Sequence, residues 1–183
     1  NLGCYGDGGA IFTNDDDLAH TIRGIVNHGM YTRYYHDVVG VNSRLDSIQA
    51  GVLKAKLPLL DSYCDARREA AAFYSNAFSE NEHIITPSIS DFTTHVFHQY
   101  TLQITNGKRD DLHKHLLEKG IPNAIYYPVA LHSQKAYADT RYNESDFPVT
   151  NELIKTVISL PMHTELDKEQ LTYITKTILD FVN

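Results

Sequence analysis

A long run of helical periodicity occupies the middle of this chain. Apolar residues recur at helical spacing over residues 45–60, and the pattern continues over residues 67–78. Pro58 lies inside the run, where it removes a backbone donor and its ring clashes with the preceding turn. We therefore predict a long helix over residues 43–79 that is kinked near Pro58. Its apolar residues, among them Leu53, Leu57 and Leu60, are expected to lie in the core.

The chain before this helix has shorter patterns. Residues 10–13 are a strand candidate, closed by turn-forming residues at 14–17. The same acidic cluster can cap a helix over residues 18–26. Residues 27–36 are aromatic and polar with no clean period, so we predict an ordered loop there.

The pattern changes again after residue 79. A helix is expected over residues 109–119, stopped by Gly120. An amphipathic tail helix over residues 167–182 has Asp167 as its expected cap. We predict strands at residues 84–86 and 100–104, before the first of these helices, and at residues 124–127, between the two. This is the pattern of an α/β module of roughly 100 residues.

Composition argues against several classes of protein. Sixteen Lys and Arg against 23 Asp and Glu leave a net charge of −7, without the basic stripe of a nucleic-acid-binding protein. No apolar run approaches the ~20 residues that span a bilayer. Cys4 and Cys64 are isolated from each other and from histidines, which disfavours a disulfide framework or a metal site. We expect a cytoplasmic protein that binds neither nucleic acid nor membrane.

Short motifs follow one another along almost the whole chain. It opens without Met on glycine-rich residues 3–9, like the interior of a domain, so we expect a part of a longer protein. Residues 3–15 resemble the segment after the cofactor lysine in the DegT/DnrJ/EryC1/StrS family of sugar aminotransferases. A glycine cluster alone usually marks a tight turn, but further matches to that family follow in order: His28-Gly29, Tyr35-His36, Gly40-Val41-Asn42-Ser43-Arg44-Leu45-Asp46, Ile48-Gln49-Ala50, Lys56-Leu57, Tyr127-Pro128, Leu131-His132-Ser133-Gln134, Phe147-Pro148 and Leu160-Pro161.

The resemblance implies an α/β protein of the type I aminotransferase fold, which binds pyridoxal 5′-phosphate. Residues 1–42 would end the large cofactor-binding domain, residues 43–79 would form the connecting helix, and residues 80–183 would form the small domain. The cofactor lysine would come just before Asn1, so no catalytic residue is expected within the chain. Residues 1–183 alone would then be inactive.

The resemblance also implies a reaction and its partners. Family members move the amino group of glutamate onto a nucleotide-linked keto sugar, here UDP- or dTDP-linked, in the biosynthesis of amino sugars and surface polysaccharides. They are homodimers with shared active sites. Asn42 would reach the partner subunit's cofactor phosphate, with Arg44 close to it, since an amide donor beside a guanidinium suits a phosphate. On residue type alone, Asn42 and Ser43 could instead cap the following helix.

Several polar and aromatic residues are candidates for substrate binding. His28, Arg33, Tyr35 and His36 share the predicted loop, where side chains on a scaffold often meet ligand. Tyr126, Tyr127 and His132 are further candidates, the tyrosines ending a predicted strand. Relatives often have histidine at the position of Tyr126. Each of these residues could also be an ordinary structural residue.

Two functions therefore stay open at this stage. The first is transamination, and residues 34–57 look closest to members that aminate the 3-keto group of a UDP-linked N-acetylated hexuronic acid. The second is a relative of the same fold that does not transaminate, either a sugar dehydratase or a regulatory or binding module. The residue that precedes Asn1 discriminates, because lysine supports transamination and histidine supports dehydration.

Overall fold

The computed structural model describes residues 1–183, which form two compact units. The amino-terminal unit is Asn1–Leu60 and the carboxyl-terminal unit is Asp61–Asn183. The predicted division at residues 42 and 79 concerns the domains of the complete protein and stays a prediction. No helix is both long and apolar enough to cross a bilayer.

Helix α1 of the amino-terminal unit spans Asp16–Val26. Asp15 caps it, because its carboxylate accepts a 2.9 Å hydrogen bond from the backbone N–H of Leu18. The predicted acidic cap and helix are therefore confirmed. The stretch predicted as a loop instead contains an antiparallel hairpin of β1, Met30–Thr32, and β2, Tyr35–His36. The bulged, three- and two-residue strands are too short to produce a readable period.

Residues 10–13 do not form the predicted strand. Ile11 and Phe12 are 70% and 91% exposed. A strand exists only where its backbone pairs with a neighbour, and no strand of residues 1–183 pairs with this segment. Apolar composition raises strand propensity but does not provide the pairing partner that a strand needs.

The long helix is interrupted at Pro58, as predicted. Helix α2 spans Ser47–Lys56, a 3₁₀ turn spans Leu57–Leu59, and α3 spans Leu60–Phe78. The prediction that Leu57 is a core residue is wrong, since it is 56% exposed and α2 buries none of its residues.

The carboxyl-terminal unit is built on a three-stranded antiparallel sheet in the order β3-β4-β5. These strands are Ile84–Ile85, Tyr100–Ile104 and Val157–Leu160. The remaining helices are α4, α5 and α6, which span Arg109–Glu118, Pro148–Thr156 and Lys168–Val182. Short 3₁₀ turns occur at Leu131–Ser133, Lys135–Tyr137 and Glu144–Asp146.

One face of the sheet carries the hydrophobic core. Residues of β4 alternate between buried and half-buried, with Tyr100, Leu102 and Ile104 facing the core. Helices α3, α4 and α6 supply the other side of the core through Ala70, Ala71, Tyr74, Phe78, Leu112, Leu116, Leu171, Ile174, Ile178 and Val182. The core of the protein therefore lies in this unit.

Two predicted boundaries in this unit are confirmed at the level of single residues. Gly120 ends α4 with a φ of +72°, a conformation that glycine adopts without steric cost. Asp167 caps α6 in a reciprocal box with Gln170, with bonds of 2.8 and 3.1 Å.

The predicted strand at residues 124–127 is wrong. Only Ala124 pairs with the sheet, through an isolated bridge to Ser159. Tyr127 has a φ of +60°, which takes the backbone out of the extended region. The sequence analysis missed β5, whose four residues pair with β4 through contacts remote in sequence.

Tyr74 gives this core a testable dependence on alkaline pH. Burial, and then the nearby Tyr100, raise the pKa of the Tyr74 phenol well above its usual value, and burial also raises the pKa of Tyr100. A pKa that is higher in the folded state stabilises the fold below the unfolded value, about 10 for tyrosine, and this contribution is lost as pH rises beyond it. We expect the free energy of unfolding, measured with urea between pH 7 and 11, to fall above about pH 10.

The substitution Tyr74→Phe should reduce that alkaline loss. It should also cost about 1 kcal/mol at pH 7, because the phenol donates a 3.1 Å hydrogen bond to Pro161 O. Tyr137→Phe, at a side chain that is 63% exposed, is the control and should change neither quantity. An alkaline slope of Tyr74→Phe equal to that of the wild type would contradict this account.

Candidate functional site

The last turn of α1 holds the segment that contains Asn42. The N–H of Val41 donates to Ile25 O at 2.8 Å, and the N–H of Ser43 donates to Val26 O at 2.9 Å. These carbonyls have no partner within the helix, so the incoming segment satisfies them. An isolated antiparallel bridge pairs Asn42 with Asn27, the C-cap residue of α1. The backbone of Asn42 is therefore fixed by hydrogen bonds on either side of it.

Two glycines allow this close approach. A Cβ added to Gly40 would collide with the backbone N of Gly29 and with Ile25 O. Gly29 has a φ of +77°, and a Cβ there would overlap Val38 O. Backbone atoms cannot move aside as a flexible side chain can, so both positions require glycine. The glycines of the His28-Gly29 and Gly40-Val41-Asn42 motifs are thus required for steric reasons.

The hairpin packs on α1 through Tyr31. Its ring stacks on His20 with centroids 4.2 Å apart and planes 4° apart. A Cβ added to Gly24 would overlap the Tyr31 ring, so this helical glycine makes room for the hairpin. The contact fixes the hairpin against the same helix that holds Asn42.

The structure brings together two of the four substrate-binding candidates from the predicted loop. His36 Nδ1 lies 2.8 Å from His28 O, and His28 has a φ of 61°. Left-handed backbone is rare for a residue other than glycine and persists where the surroundings fix it. Arg33 lies in the turn of the hairpin, with its guanidinium 4.8 Å from the Tyr34 ring centroid, and Tyr35 is 69% exposed.

A cleft of about 590 Å³ is lined by residues 7–11, by two residues of α1 and by residues 43–45, which follow Asn42. Its walls include Gly8, Gly9, Ile22 and Arg44. The two glycines present backbone without a side chain to this cleft, and Asp7 and Arg44 are the charged residues of its lining.

Gln49 and Lys56 are structural residues of this site that sequence reasoning did not assign. The Gln49 amide both donates to Tyr5 O and accepts from Tyr5 N, each at 2.7 Å. Lys56 Nζ donates to Gly3 O at 2.5 Å. Helix α2 therefore holds the glycine-rich turn by two side chains. Their positions in the Ile48-Gln49-Ala50 and Lys56-Leu57 motifs were the sequence signal that could have identified them.

The structure excludes the helix-cap interpretation of Asn42 and Ser43. Helix α2 begins at Ser47 and its N-cap residue is Asp46. Asn42 and Arg44 are both exposed, and neither side chain bonds to another residue of the chain. The amide and guanidinium donors are therefore available to a ligand.

The candidates in the carboxyl-terminal unit occupy two different cavities. Tyr126 borders a cavity of about 300 Å³, together with His98, Ser159 and Met162. Tyr127 and His132 line another, of about 450 Å³, whose walls are mainly aromatic and aliphatic. His132 stacks on Phe147 at 4.3 Å, and its Nε2 is buried without a partner. The neighbouring Tyr126 and Tyr127 thus border different cavities, and Tyr127 has a positive φ.

Comparison with known proteins decides the family. The model of the DegT/DnrJ/EryC1/StrS aminotransferase family matches residues 1–179. The chain belongs to this family. The resemblance seen in the motifs is therefore confirmed, and so is the α/β aminotransferase fold.

Individual relatives of this DegT/DnrJ/EryC1/StrS chain carry different names. A pleiotropic regulatory protein of Geobacillus stearothermophilus is 45% identical, over 99% of this chain and 49% of its own length. A UDP-2-acetamido-2-deoxy-3-oxo-D-glucuronate aminotransferase of Pseudomonas aeruginosa is 43% identical, over 94% of this chain and 46% of its own. The DesV protein of S. venezuelae, solved in complex with a ketimine intermediate, superposes with a TM-score of 0.94 at 35% identity, covering 100% of this chain and 48% of DesV. The chain thus spans about half the length of the relatives it matches.

Enzymes of this family depend on pyridoxal 5′-phosphate, and the residues present fit its phosphate. Asn42 and Arg44 offer unpaired donors, one neutral and one positively charged, on a backbone fixed by α1. A guanidinium and an amide are suitable partners for phosphate oxygens. The bound cofactor supplies the electron sink for amino-group transfer, while the protein supplies placement and charge.

Gly40 and Gly51 make a matched pair that tests the steric argument. Gly40→Ala should lower the free energy of unfolding of the complete protein by at least about 1–3 kcal/mol, because the methyl group meets only backbone. Gly51→Ala is the control, since nothing lies within 4 Å of the added Cβ, and it should gain about 0.5–1 kcal/mol of helix stability. Urea unfolding measures both, and equal values would refute the close backbone contact as the reason for glycine.

Proposed function

We propose that the complete protein is an aminotransferase that moves the amino group of glutamate onto a nucleotide-linked keto sugar, using pyridoxal 5′-phosphate. The observation that carries the proposal is the pair of free donors at Asn42 and Arg44 on a backbone segment held by the end of α1. Rigid placement matters, because donors that are already oriented lose little entropy when a phosphate binds.

The proposed role of this pair is to hold the cofactor phosphate of the partner subunit in a homodimer. Both side chains are exposed and unused within their own chain, as a residue that serves a neighbouring subunit must be. In a symmetric dimer the same surface acts in both directions, so each subunit completes the site of the other. The lysine that forms the covalent link would precede Asn1, and residues 1–183 alone would be inactive.

The proposed acceptor is the 3-keto group of a UDP-linked N-acetylated hexuronic acid. The 43% identity to the Pseudomonas aeruginosa aminotransferase supports this choice. Arg33 at the turn of the hairpin would meet the anionic groups of such a substrate, with His28, Tyr35 and His36 beside it. In the carboxyl-terminal unit, Tyr126, Tyr127 and His132 are the proposed substrate contacts.

A regulatory function is the second candidate. The 45% identity to a pleiotropic regulatory protein favours it. The two candidates differ in turnover. The complete protein, supplied with glutamate and UDP-2-acetamido-2-deoxy-3-oxo-D-glucuronate, should form 2-oxoglutarate and the 3-amino sugar nucleotide, both detected by mass spectrometry. Cofactor binding without turnover on UDP- and dTDP-linked 3-keto and 4-keto sugars would favour the regulatory function.

Substitution of the two donors tests the cofactor contact in the complete protein. Asn42→Ala should weaken binding of pyridoxal 5′-phosphate by about one to two powers of ten, since a hydrogen bond to a charged group contributes about 1.5–3 kcal/mol. Arg44→Ala should weaken it at least as much, because charge-assisted bonds are the stronger kind. Arg44→Lys should restore only part of the loss, since an ammonium lacks the planar fork.

Titration of the cofactor, followed by absorbance and by melting temperature, gives the affinities. Asn14→Ala and Arg23→Ala are matched controls, because both residues are exposed on the same unit and border none of the proposed contacts. They should bind the cofactor as the wild type does. If Asn42→Ala and Arg44→Ala also retain wild-type affinity, the phosphate assignment is wrong.

A further inference from the structure

Arg67 on α3 donates to backbone carbonyls and forms no ion pair with a carboxylate. Its Nη1 lies 3.2 Å from Phe97 O, 3.2 Å from His98 O and 3.1 Å from Met162 O. A single guanidinium nitrogen therefore joins two loop segments, one before β4 and one after β5.

The first of these segments is strained. Phe97 has a φ of 42°, in the left-handed region that costs a residue with a side chain free energy. Its N–H donates to His95 Nδ1 at 2.9 Å, and its ring is buried, with its centroid 6.0 Å from that of Tyr100. Strained backbone persists only where several contacts fix it, and Arg67 supplies the contacts on the carbonyl side.

The second segment is held from the same face of α3. Tyr74 lies two helical turns after Arg67 and donates to Pro161 O at 3.1 Å. The consecutive carbonyls of Pro161 and Met162 are thus bound by two side chains of one helix. Helix α3 therefore sets the position of the chain as it leaves β5.

The arginine at this position carries an energetic cost as well as its hydrogen bonds. The Arg67 Nε is buried without a hydrogen-bond partner, which is unfavourable for a group that carries a charge. An apolar side chain of similar length would avoid that cost, but the carbonyls of Phe97, His98 and Met162 would lose this donor. What only the guanidinium provides is the link between the two segments.

Both segments border the cavity of Tyr126. His98 from the first segment and Met162 from the second line this cavity together with Tyr126 and with Ser159 of β5. We infer that Arg67 is a positioning residue of the sugar-nucleotide site, which holds His98 and Met162 at a fixed spacing around Tyr126. This role rests on the proposed function, in which Tyr126 contacts the substrate.

The adjacent Arg68 provides the control. It forms an ion pair with Asp65 on the same helix, and no bond from it to the cavity walls is observed. In the complete protein with bound cofactor, Arg67→Met should raise KM for UDP-2-acetamido-2-deoxy-3-oxo-D-glucuronate by about ten-fold to one hundred-fold, as a displaced wall would. KM for glutamate, cofactor affinity and kcat should change much less. Arg67→Lys should recover part of the loss, and Arg68→Met should match the wild type.

Hydrogen exchange provides a readout that is independent of turnover. Amides of residues 95–99 and 160–163 should exchange faster in Arg67→Met, or in Arg67→Lys if the methionine variant does not fold, than in Arg68→Met. Faster exchange with an unchanged KM would overturn the inference by leaving Arg67 a structural role only. Unchanged exchange, or an equal rise of KM in Arg68→Met, would overturn it as well. A wild-type protein that turns over no sugar nucleotide would refute the proposed function itself, and this role with it.

Discussion

The candidate site depends on the unpaired carbonyl groups at the end of α1. A helix leaves its last carbonyls without internal partners, and here Val41 and Ser43 supply them from a segment that returns to the helix. Because the donors are backbone N–H groups, they fix the path of the main chain and leave the side chains between them uncommitted. Asn42 thus has a fixed backbone and a free amide. The N–H of Gly29 donates to Gly24 O at the same end of the helix, and the N–H of His28 donates to Val41 O, so the hairpin and the Asn42 segment share one anchor.

The motifs that identify the family therefore mainly reflect close contacts between backbone segments. Positions 29 and 40 require glycine because two stretches of main chain are in contact there. Position 24 requires glycine because the Tyr31 ring packs against it. Gln49 uses both ends of its amide on the backbone of Tyr5, a pairing in which donor and acceptor must both be present. Glutamate in its ionised form could accept from Tyr5 N but could not donate to Tyr5 O. Few residues of these motifs are available for the chemistry of the site, while most of them hold the backbone in position.

Sequence reasoning succeeded where the deciding contact is local. The caps at Asp15 and Asp167, the stop at Gly120 and the break at Pro58 all depend on atoms within a few residues of one another. It failed where the deciding partner is remote. Residues 10–13 and 124–127 have strand composition but lack a ladder, and β5 pairs with a strand more than fifty residues earlier in the chain. For the site, the motif order selected Asn42 and Arg44 as candidates, whose role stays a prediction. The separation of Tyr126 and Tyr127 into two cavities occurs together with a positive φ at Tyr127, which the strand pattern did not predict.

The two units maintain their geometry by different means, and this difference bears on how the site works. The carboxyl-terminal unit has a hydrophobic core, so its cavity walls are set by packing and by internal donors such as Arg67 and Tyr74. In the amino-terminal unit the only buried residues are Gly24 and Gly29, so its order comes from hydrogen bonds and from ring contacts at the surface. Side chains that are not needed for packing can be committed to a ligand without loss of internal contacts. That freedom is what the proposed cross-subunit role of Asn42 and Arg44 requires, since a residue that served its own core could not also reach a neighbour's phosphate.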